Sequence, residues 1–310
     1  MRILFMGTPK FALPSLEALL KSEHQIAGII TQPDRPRGRG RKLSPTPVKE
    51  LALKNGLLVF DPEDLKSDDL VEKLEATNPD LAVVVAFRIL PEKIFTIPPK
   101  GTINLHPSLL PKYRGAAPIN WALIEGETKT GVTTFFIRKK VDTGNIILQR
   151  EVEISPDENY GELKERLAKI GAELVIETVE LIEKGEVKIL SQDNSQATSA
   201  PKLTPQVGKI DWSESAEKIK NLIRGLSPAP GAYTFFRGKL LKIFDSEVVD
   251  EDDPAKNPGE VITADKNQGI VVKTRMGGLK PLLLQPEGKK RITAEEFLRG
   301  YRIEIGERLD

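Results

Sequence analysis

LAVVVAF, at residues 81–87, is apolar at every position and has three valines in a row. A half-exposed strand would alternate apolar and polar residues. An unbroken run of this kind belongs to a strand buried on both faces of a parallel sheet. Working outward, RILFM (2–6), residues 26–30 and LLVF (57–60) read as further strands. Between them, helical spacing appears around Leu13, Leu16, Leu19 and Leu20, over Pro47 to Asn55, and over Lys66 to Thr77. Strands alternating with helices predict a doubly wound, Rossmann-like α/β domain, in which ligands sit at the carboxyl ends of the strands.

Downstream, a short strand, GTINL, runs straight into NLHPSLLPKYRGAAPIN (104–120), so this segment falls where such a ligand site belongs. Residues 131–137 and 145–153 read as a strand pair with VDTGN between them, and a long helix spans roughly Tyr160 to Lys184. The character then changes. SQDNSQATSAPKLTP (191–205) has linker composition. A helix at Ser215 to Gly225 follows it, and then the short strands LLKIFDSEVV, GEVITA, GIVVKT and LKPLLLQP between glycine and asparagine turns. Strands at this spacing suggest a small, OB-like β-barrel. The expected domains are 1–190 and 207–310, joined by a linker at 191–206.

Composition narrows the function classes. A chain of 310 residues exceeds one typical core, and 39% hydrophobic with 29% charged residues is ordinary for a soluble protein. The absence of cysteine excludes disulfides, thiolate catalysis and cysteine-ligated zinc, and fits a reducing compartment. Two histidines far apart in sequence argue against a histidine-rich metal site. With no apolar run of signal-peptide or membrane-span length, a cytoplasmic location away from membranes is expected. A net charge of +1 means that a polyanionic partner must be met by local patches.

Three features carry candidate chemistry. Asn104 and His106, two apart on an extended segment, present an amide and an imidazole on one side. An imidazole can take or hold a proton, a carboxylate such as Asp142 in the VDTG turn can orient it, and an asparagine amide can donate to an oxygen that gains charge. A turn asparagine, a buried structural histidine and a turn aspartate would give the same pattern. The second feature is DRPRGRGRK (34–42), where Arg35, Arg37, Arg39, Arg41 and Lys42 are opposed only by Asp34. Five cations on a loop loosened by proline and glycine suit a phosphate-backbone grip. The third is GKKR (288–291), with Lys289, Lys290 and Arg291, near Lys239, Lys242, Lys273 and Arg275 on the expected barrel. The turn Gly7-Thr8-Pro9 lacks the GxGxxG spacing of a dinucleotide site.

NLHPSLLPKYRGAAPIN and VDTGNIILQ together resemble the signature segments of the folate-dependent formyltransferases. ILFMGTPKFA, TQPDRPRGRGRKLSPTPVK, KLTPQVGKIDWSESA and LLLQPEGKKRITAEEFL extend the likeness in order across both expected domains. The resemblance implies a transfer of formyl from 10-formyltetrahydrofolate, without metal, to the α-amine of methionyl initiator tRNA by direct attack. It implies that Asn104 stabilises the oxyanion, while His106 and Asp142 share charge stabilisation and proton removal in a division left open. It also implies folate contacts from Ser108, Leu109, Leu110 and Pro111 and from Phe87, Arg88, Ile89 and Leu90. The arginine loop would enter the tRNA acceptor end and the barrel would hold the acceptor arm, in a monomer with no obligate protein partner. AFRILP (86–91) departs from the family pattern, lacking its glycine and one residue, so a changed loop path is expected there. Two other readings are an acceptor that is an amino-sugar nucleotide or glycinamide ribonucleotide, and an RNA-binding protein without catalysis. The arginine loop and barrel weigh against the first, and the intact Asn104, His106 and Asp142 against the second.

Overall fold

The valine run forms the middle of a largely parallel sheet. The computed structural model describes residues 1–37, 42–265 and 267–310. Two units divide the chain: Met1–Pro118 with Lys129–Glu153 and Lys164–Ala200, and Ile119–Thr128 with Ile154–Leu163 and Pro201–Asp310. In chain order come β1 (Arg2–Gly7), α1 (Leu13–Lys21), β2 (Gln25–Ile30), β3 (Arg35–Arg37), β4 (Lys42–Ser44), α2 (Pro47–Lys54) and β5 (Val59–Phe60). Next are α3 (Asp68–Glu75), β6 (Leu81–Val85), α4 (Glu92–Phe95), β7 (Thr102–His106), β8 (Arg114–Gly115) and α5 (Pro118–Ile124). Then follow β9 (Lys129–Phe136), β10 (Ile146–Glu153), α6 (Tyr160–Lys184) and β11 (Ser199–Ala200).

Seven of these strands form one sheet in the order β10-β9-β7-β6-β1-β2-β5. Pairing is parallel from β7 to β5, and antiparallel where β9 joins β7 and β10 joins β9. β1 and β6 are buried over Ile3–Met6 and along the valine run. Each such side chain contributes about 1.5–3 kcal/mol of burial, which makes these strands the core of the unit. β5 keeps only the last two residues of LLVF, and Leu58 stays exposed. Thr46 caps α2 by accepting from Lys49 N–H, with Pro47 pre-set for the first turn.

The ends of the arginine segment pair as strands where a loop was expected. β3 and β4 align Arg35 with Ser44, Pro36 with Leu43 and Arg37 with Lys42. Asp34, the one acid of the run, is committed to Lys49 Nζ at 2.8 Å, and Lys49 also meets Asp61 at 2.7 Å. Arg39 and Arg41 lie outside the described residues.

The second unit contains α7 (Ala216–Gly225), β12 (Ala232–Phe236), β13 (Lys239–Val249), β14 (Val261–Asp265), β15 (Gly269–Lys273), β16 (Gly278–Pro286), β17 (Ile292–Thr293) and α8 (Ala294–Tyr301). Its antiparallel sheet runs β12-β13-β16-β15-β14, with β17 on β16. Leu309 bridges to Phe236 on one edge strand, and Arg308 bridges to Glu260 just before the other, so the C-terminal residues span the gap between the two edges. Closure of this kind leaves few strand edges open to wrong pairing. Trp212, Ile219, Ile223, Phe236, Ile243 and Phe297 lie in the core. The Trp212 indole N–H donates to Thr234, and α8 starts with a reciprocal cap between Thr293 and Glu296. Among the described residues no helix is long and apolar enough to cross a membrane.

Candidate active site

β7 brings the amide and the imidazole together at the carboxyl end of the parallel strands. Its register places Asn104 opposite Phe135, Leu105 opposite Thr134 and His106 opposite Thr133. Asn104, His106, Phe135 and Thr133 therefore share one face of the sheet. The other face meets α6, where Thr134 and Thr178 hydroxyls bond at 2.7 Å and Gly171 leaves room for Leu105. The chemistry-bearing face is the one that α6 does not cover.

The His106 side chain is only 5% exposed. Its Nε2 lies 2.9 Å from the Tyr113 carbonyl oxygen, an acceptor only, so Nε2 carries the hydrogen and donates it. Nδ1 faces Asp142 Oδ2 at 3.8 Å. A proton arriving on Nδ1 would convert this approach into a charge-assisted hydrogen bond. Asp142, 11% exposed, takes a second fixing contact from the Gly115 N–H at 2.9 Å. Asn104 is half-buried, and its carboxamide has no hydrogen-bond partner among the described residues. Tyr113 and Asp142 both hold left-handed backbone, with φ of 59° and 52°. Each costs on the order of 1–3 kcal/mol for a non-glycine residue, so surrounding bonds must impose it. Gly144 completes the turn because a Cβ there would lie 1.6 Å from the Phe136 carbonyl oxygen.

The segment after His106 is secured from below. The buried Thr133 hydroxyl donates to the Ser108 carbonyl at 2.6 Å and accepts from the Leu110 N–H at 3.2 Å. The Gln149 amide donates to both the Leu110 carbonyl and Thr133. Of the four residues expected to meet folate here, Ser108 is fully buried and its hydroxyl donates to the Lys112 carbonyl. Leu110 packs with Phe135 and Ile146. Leu109 and Pro111 stay partly exposed, and the Leu110–Pro111 peptide is cis.

The shortened AFRILP segment turns at Ala86, whose φ is 50°. Phe87 and Leu90 pack against the cluster of Leu4, Met6, Val84 and Ile94. The Arg88 guanidinium lies 5.5 Å from the Phe87 ring and donates to the carbonyls of Pro62 and Glu63. Burial holds its pKa below the ordinary arginine value, against the pull of Glu63. Ile89 is 76% exposed, which makes it the member of this segment with the most free apolar surface.

Sequence reasoning missed five contributors: the Tyr113 carbonyl, the Gly115 N–H, Thr133, Gln192 and its partner Arg114. Gln192 Nε2 donates to the carbonyls of Asp142 (2.9 Å) and Gly144 (2.7 Å), and its Oε1 accepts from Arg114 Nε and Nη2. The stretch that carries Gln192 also supplies β11, which pairs in parallel with β8, and the Thr198 hydroxyl and carbonyl accept from the N–H groups of Tyr113 and Arg114. Its polar composition reads as linker, and main-chain donors leave no mark in a sequence.

The basic residues are placed separately. Arg35 is exposed on β3, and Arg37 and Lys42 form the last described backbone pair of the hairpin. In the second unit, Lys289 and Lys290 are exposed at the β16–β17 turn. Arg291 is already engaged: its guanidinium lies 3.6 Å from the Phe244 ring centre and donates to the Pro228 carbonyl. Among the described residues no group of three or more histidine, aspartate or glutamate side chains is arranged to hold a metal ion.

Residues 1–179 match the family described as formyl transferase, and residues 202–302 match the formyl transferase C-terminal domain. The chain is 49% identical over 312 residues to the methionyl-tRNA formyltransferase of Sulfurihydrogenibium sp. (strain YO3AOP1), covering 100% of both chains. It is 48% identical over 307 residues to that of Alkaliphilus oremlandii (strain OhILAs), covering 99% of this chain and 98% of the relative. Among solved structures, it is similar to HypX from Aquifex aeolicus in complex with tetrahydrofolic acid, with a TM-score of 0.67 at 20% identity. That likeness, which concerns the fold, covers 99% of this chain and 48% of HypX, so the chain spans about half the length of that protein.

Proposed function

Because the chain belongs to the formyl transferase family, with methionyl-tRNA formyltransferases as full-length relatives, we propose that it formylates the α-amine of methionyl initiator tRNA for translation initiation, with 10-formyltetrahydrofolate as donor. The observation that carries the reading is the convergence of a free amide, Asn104, with an imidazole whose Nδ1 faces Asp142, at the carboxyl end of β7. The folate supplies a formyl group on a nitrogen that leaves as an amine. An α-amine has a reference pKa of about 8, so about a tenth or more of it is already neutral at pH 7–7.5. The demands on the protein are placement and stabilisation of charge on the formyl oxygen.

Asn104 Nδ2 donates to that oxygen as the amine nitrogen bonds to the formyl carbon. His106 Nδ1 accepts the proton the amine sheds, because Nε2 is already committed to Tyr113. Asp142 stabilises the imidazolium so formed and holds the ring. The proton then passes to the folate nitrogen as its bond to the formyl carbon breaks. Leu109, Pro111 and Ile89 offer the exposed apolar surface for the folate rings, and the reaction as drawn uses no metal. Arg35, Arg37 and the arginines beyond them meet RNA phosphates from the first unit, and Lys289 and Lys290 do so from the second. Two modest basic surfaces on one RNA gain by effective concentration. The amino-sugar and glycinamide ribonucleotide readings would leave both surfaces without a substrate. A charged tRNA as substrate favours the cytoplasm, with the chain acting as a monomer.

The test is formyl transfer from 10-formyltetrahydrofolate to methionyl initiator tRNA by the wild type and by His106→Ala. Activity that collapses while tRNA affinity is kept supports the reading. Tight tRNA binding with no transfer by the wild type would replace it with the binding-protein reading.

A further inference from the structure

We propose that Gln192 is a positioning residue for Asp142, an inference that rests on the formyl-transfer reading above. The main-chain carbonyls of Asp142 and Gly144, in the VDTG turn, both point at one spot. Two carbonyl dipoles facing one point repel each other unless a double donor sits between them. The Gln192 NH₂ is that donor, giving one hydrogen to each carbonyl at 2.9 and 2.7 Å. Its carbonyl end is filled by Arg114 Nε at 3.1 Å and Nη2 at 2.6 Å. Arg114 Nη2 is itself tied to Asn194 Oδ1 at 2.9 Å.

The network determines which end of the carboxamide is which. Turned by 180°, Gln192 would set its oxygen against two carbonyls and its nitrogen against a guanidinium. Every polar atom of the side chain is satisfied in one orientation only, so the carboxamide behaves as a rigid strut. What it braces is the strained residue. Asp142 sits at φ 52°, and the strut holds its carbonyl while the Gly115 N–H holds its carboxylate. Arg114 and Gly115 are neighbours on β8, so one short strand anchors both ends of the arrangement. Gln192 reaches no reacting atom; it acts through the aspartate.

The experiment is a double-mutant cycle on the full chain, measuring kcat and KM for formyl transfer to methionyl initiator tRNA. Gln192→Met keeps the shape and removes every hydrogen bond. Loss of a bond that fixes a reacting group in place is expected to lower kcat about 10–100-fold. KM for tRNA and for folate should stay within about threefold, because uniform binding is not touched. In an Asp142→Ala background the same change should cost less than about threefold, because the group it positions is gone. Gln192→Glu is the second variant, for the case where the methionine variant does not fold. Its carboxylate keeps Arg114 but turns an oxygen on the carbonyls of Asp142 and Gly144, so kcat should fall with the fold retained. Losses that multiply in the double variant, a loss carried by KM, or wild-type kcat in Gln192→Glu would each overturn the inference alone. Absence of transfer by the wild type would overturn the functional reading, and the inference with it.

Discussion

Thr133→Val tests whether one buried hydroxyl holds the segment that follows His106. The substitution keeps the side-chain shape and leaves no cavity. It removes the acceptor of the Leu110 N–H and the donor to the Ser108 carbonyl, both buried. A buried polar group left without its partner costs about 1–3 kcal/mol, so two cost about 2–6 kcal/mol if the backbone stays in place. That is a large share of a domain stability of about 5–15 kcal/mol. At about 2–4 °C per kcal/mol for a unit of this size, the first unit should melt roughly 4–24 °C lower. The segment can escape part of this by moving outward to water. It then carries the Tyr113 carbonyl away from His106 Nε2, and kcat falls in place of stability. The assay is thermal unfolding followed by near-ultraviolet dichroism, together with kcat for formyl transfer. Thr133→Ser, which keeps the hydroxyl, should recover most of both. A valine variant that melts within about 2 °C of wild type and retains wild-type kcat would refute the argument.

Gly144→Ala should abolish transfer by displacing the Asp142 turn, since the added carbon would lie 1.6 Å from the Phe136 oxygen. Steady-state rates and a crystal structure of the variant would show the displacement, and normal kcat would contradict it. Arg35→Ala with Arg37→Ala should raise KM for tRNA with KM for folate unchanged, and should reduce the slope of log affinity against log salt by about 1–2. Lys49→Met should destabilise the protein at neutral pH. The hydrogen bonds that Lys49 Nζ donates to Asp34, and then to Asp61, raise the Lys49 pKa above the ordinary lysine value. A raised lysine pKa means the stabilisation is complete below the unfolded value and is lost as pH rises through the folded one. The difference in melting temperature between wild type and variant should therefore be flat from pH 7 to 9 and shrink in stronger alkali. A difference that grows there would show the sign to be wrong.

The sequence was legible where one physical rule dominated. An unbroken run such as LAVVVAF admits few structures, and the β-strand spacing of Asn104 and His106 put both on one face of β7. The helix expected from Tyr160 to Lys184 has those bounds. Local pattern failed where tertiary bonds decide the outcome. The β3–β4 pair has no apolar alternation to reveal it, and β5 covers only the last two residues of LLVF, with Leu58 left exposed. Ala86, Tyr113 and Asp142 adopt left-handed backbone that no glycine announces. Gln192 looked like solvated linker because glutamine between serine and aspartate carries no apolar signal. Only the fold shows that its amide faces two carbonyls.

The pairing of β11 with β8 also bears on the order of events during synthesis. A ribosome makes the chain from its amino end, so His106 and Asp142 emerge well before Gln192, Thr198 and Ala200. Until those later residues have left the exit tunnel, the Tyr113 and Arg114 amides lack their Thr198 acceptors and the Asp142 turn lacks its strut. A nascent chain stalled near residue 190 would carry every signature residue of the catalytic face and still hold an unbraced site. Formylating competence should appear only after the stretch through Ala200 is free to dock, which a series of arrested chains of increasing length would record as a step.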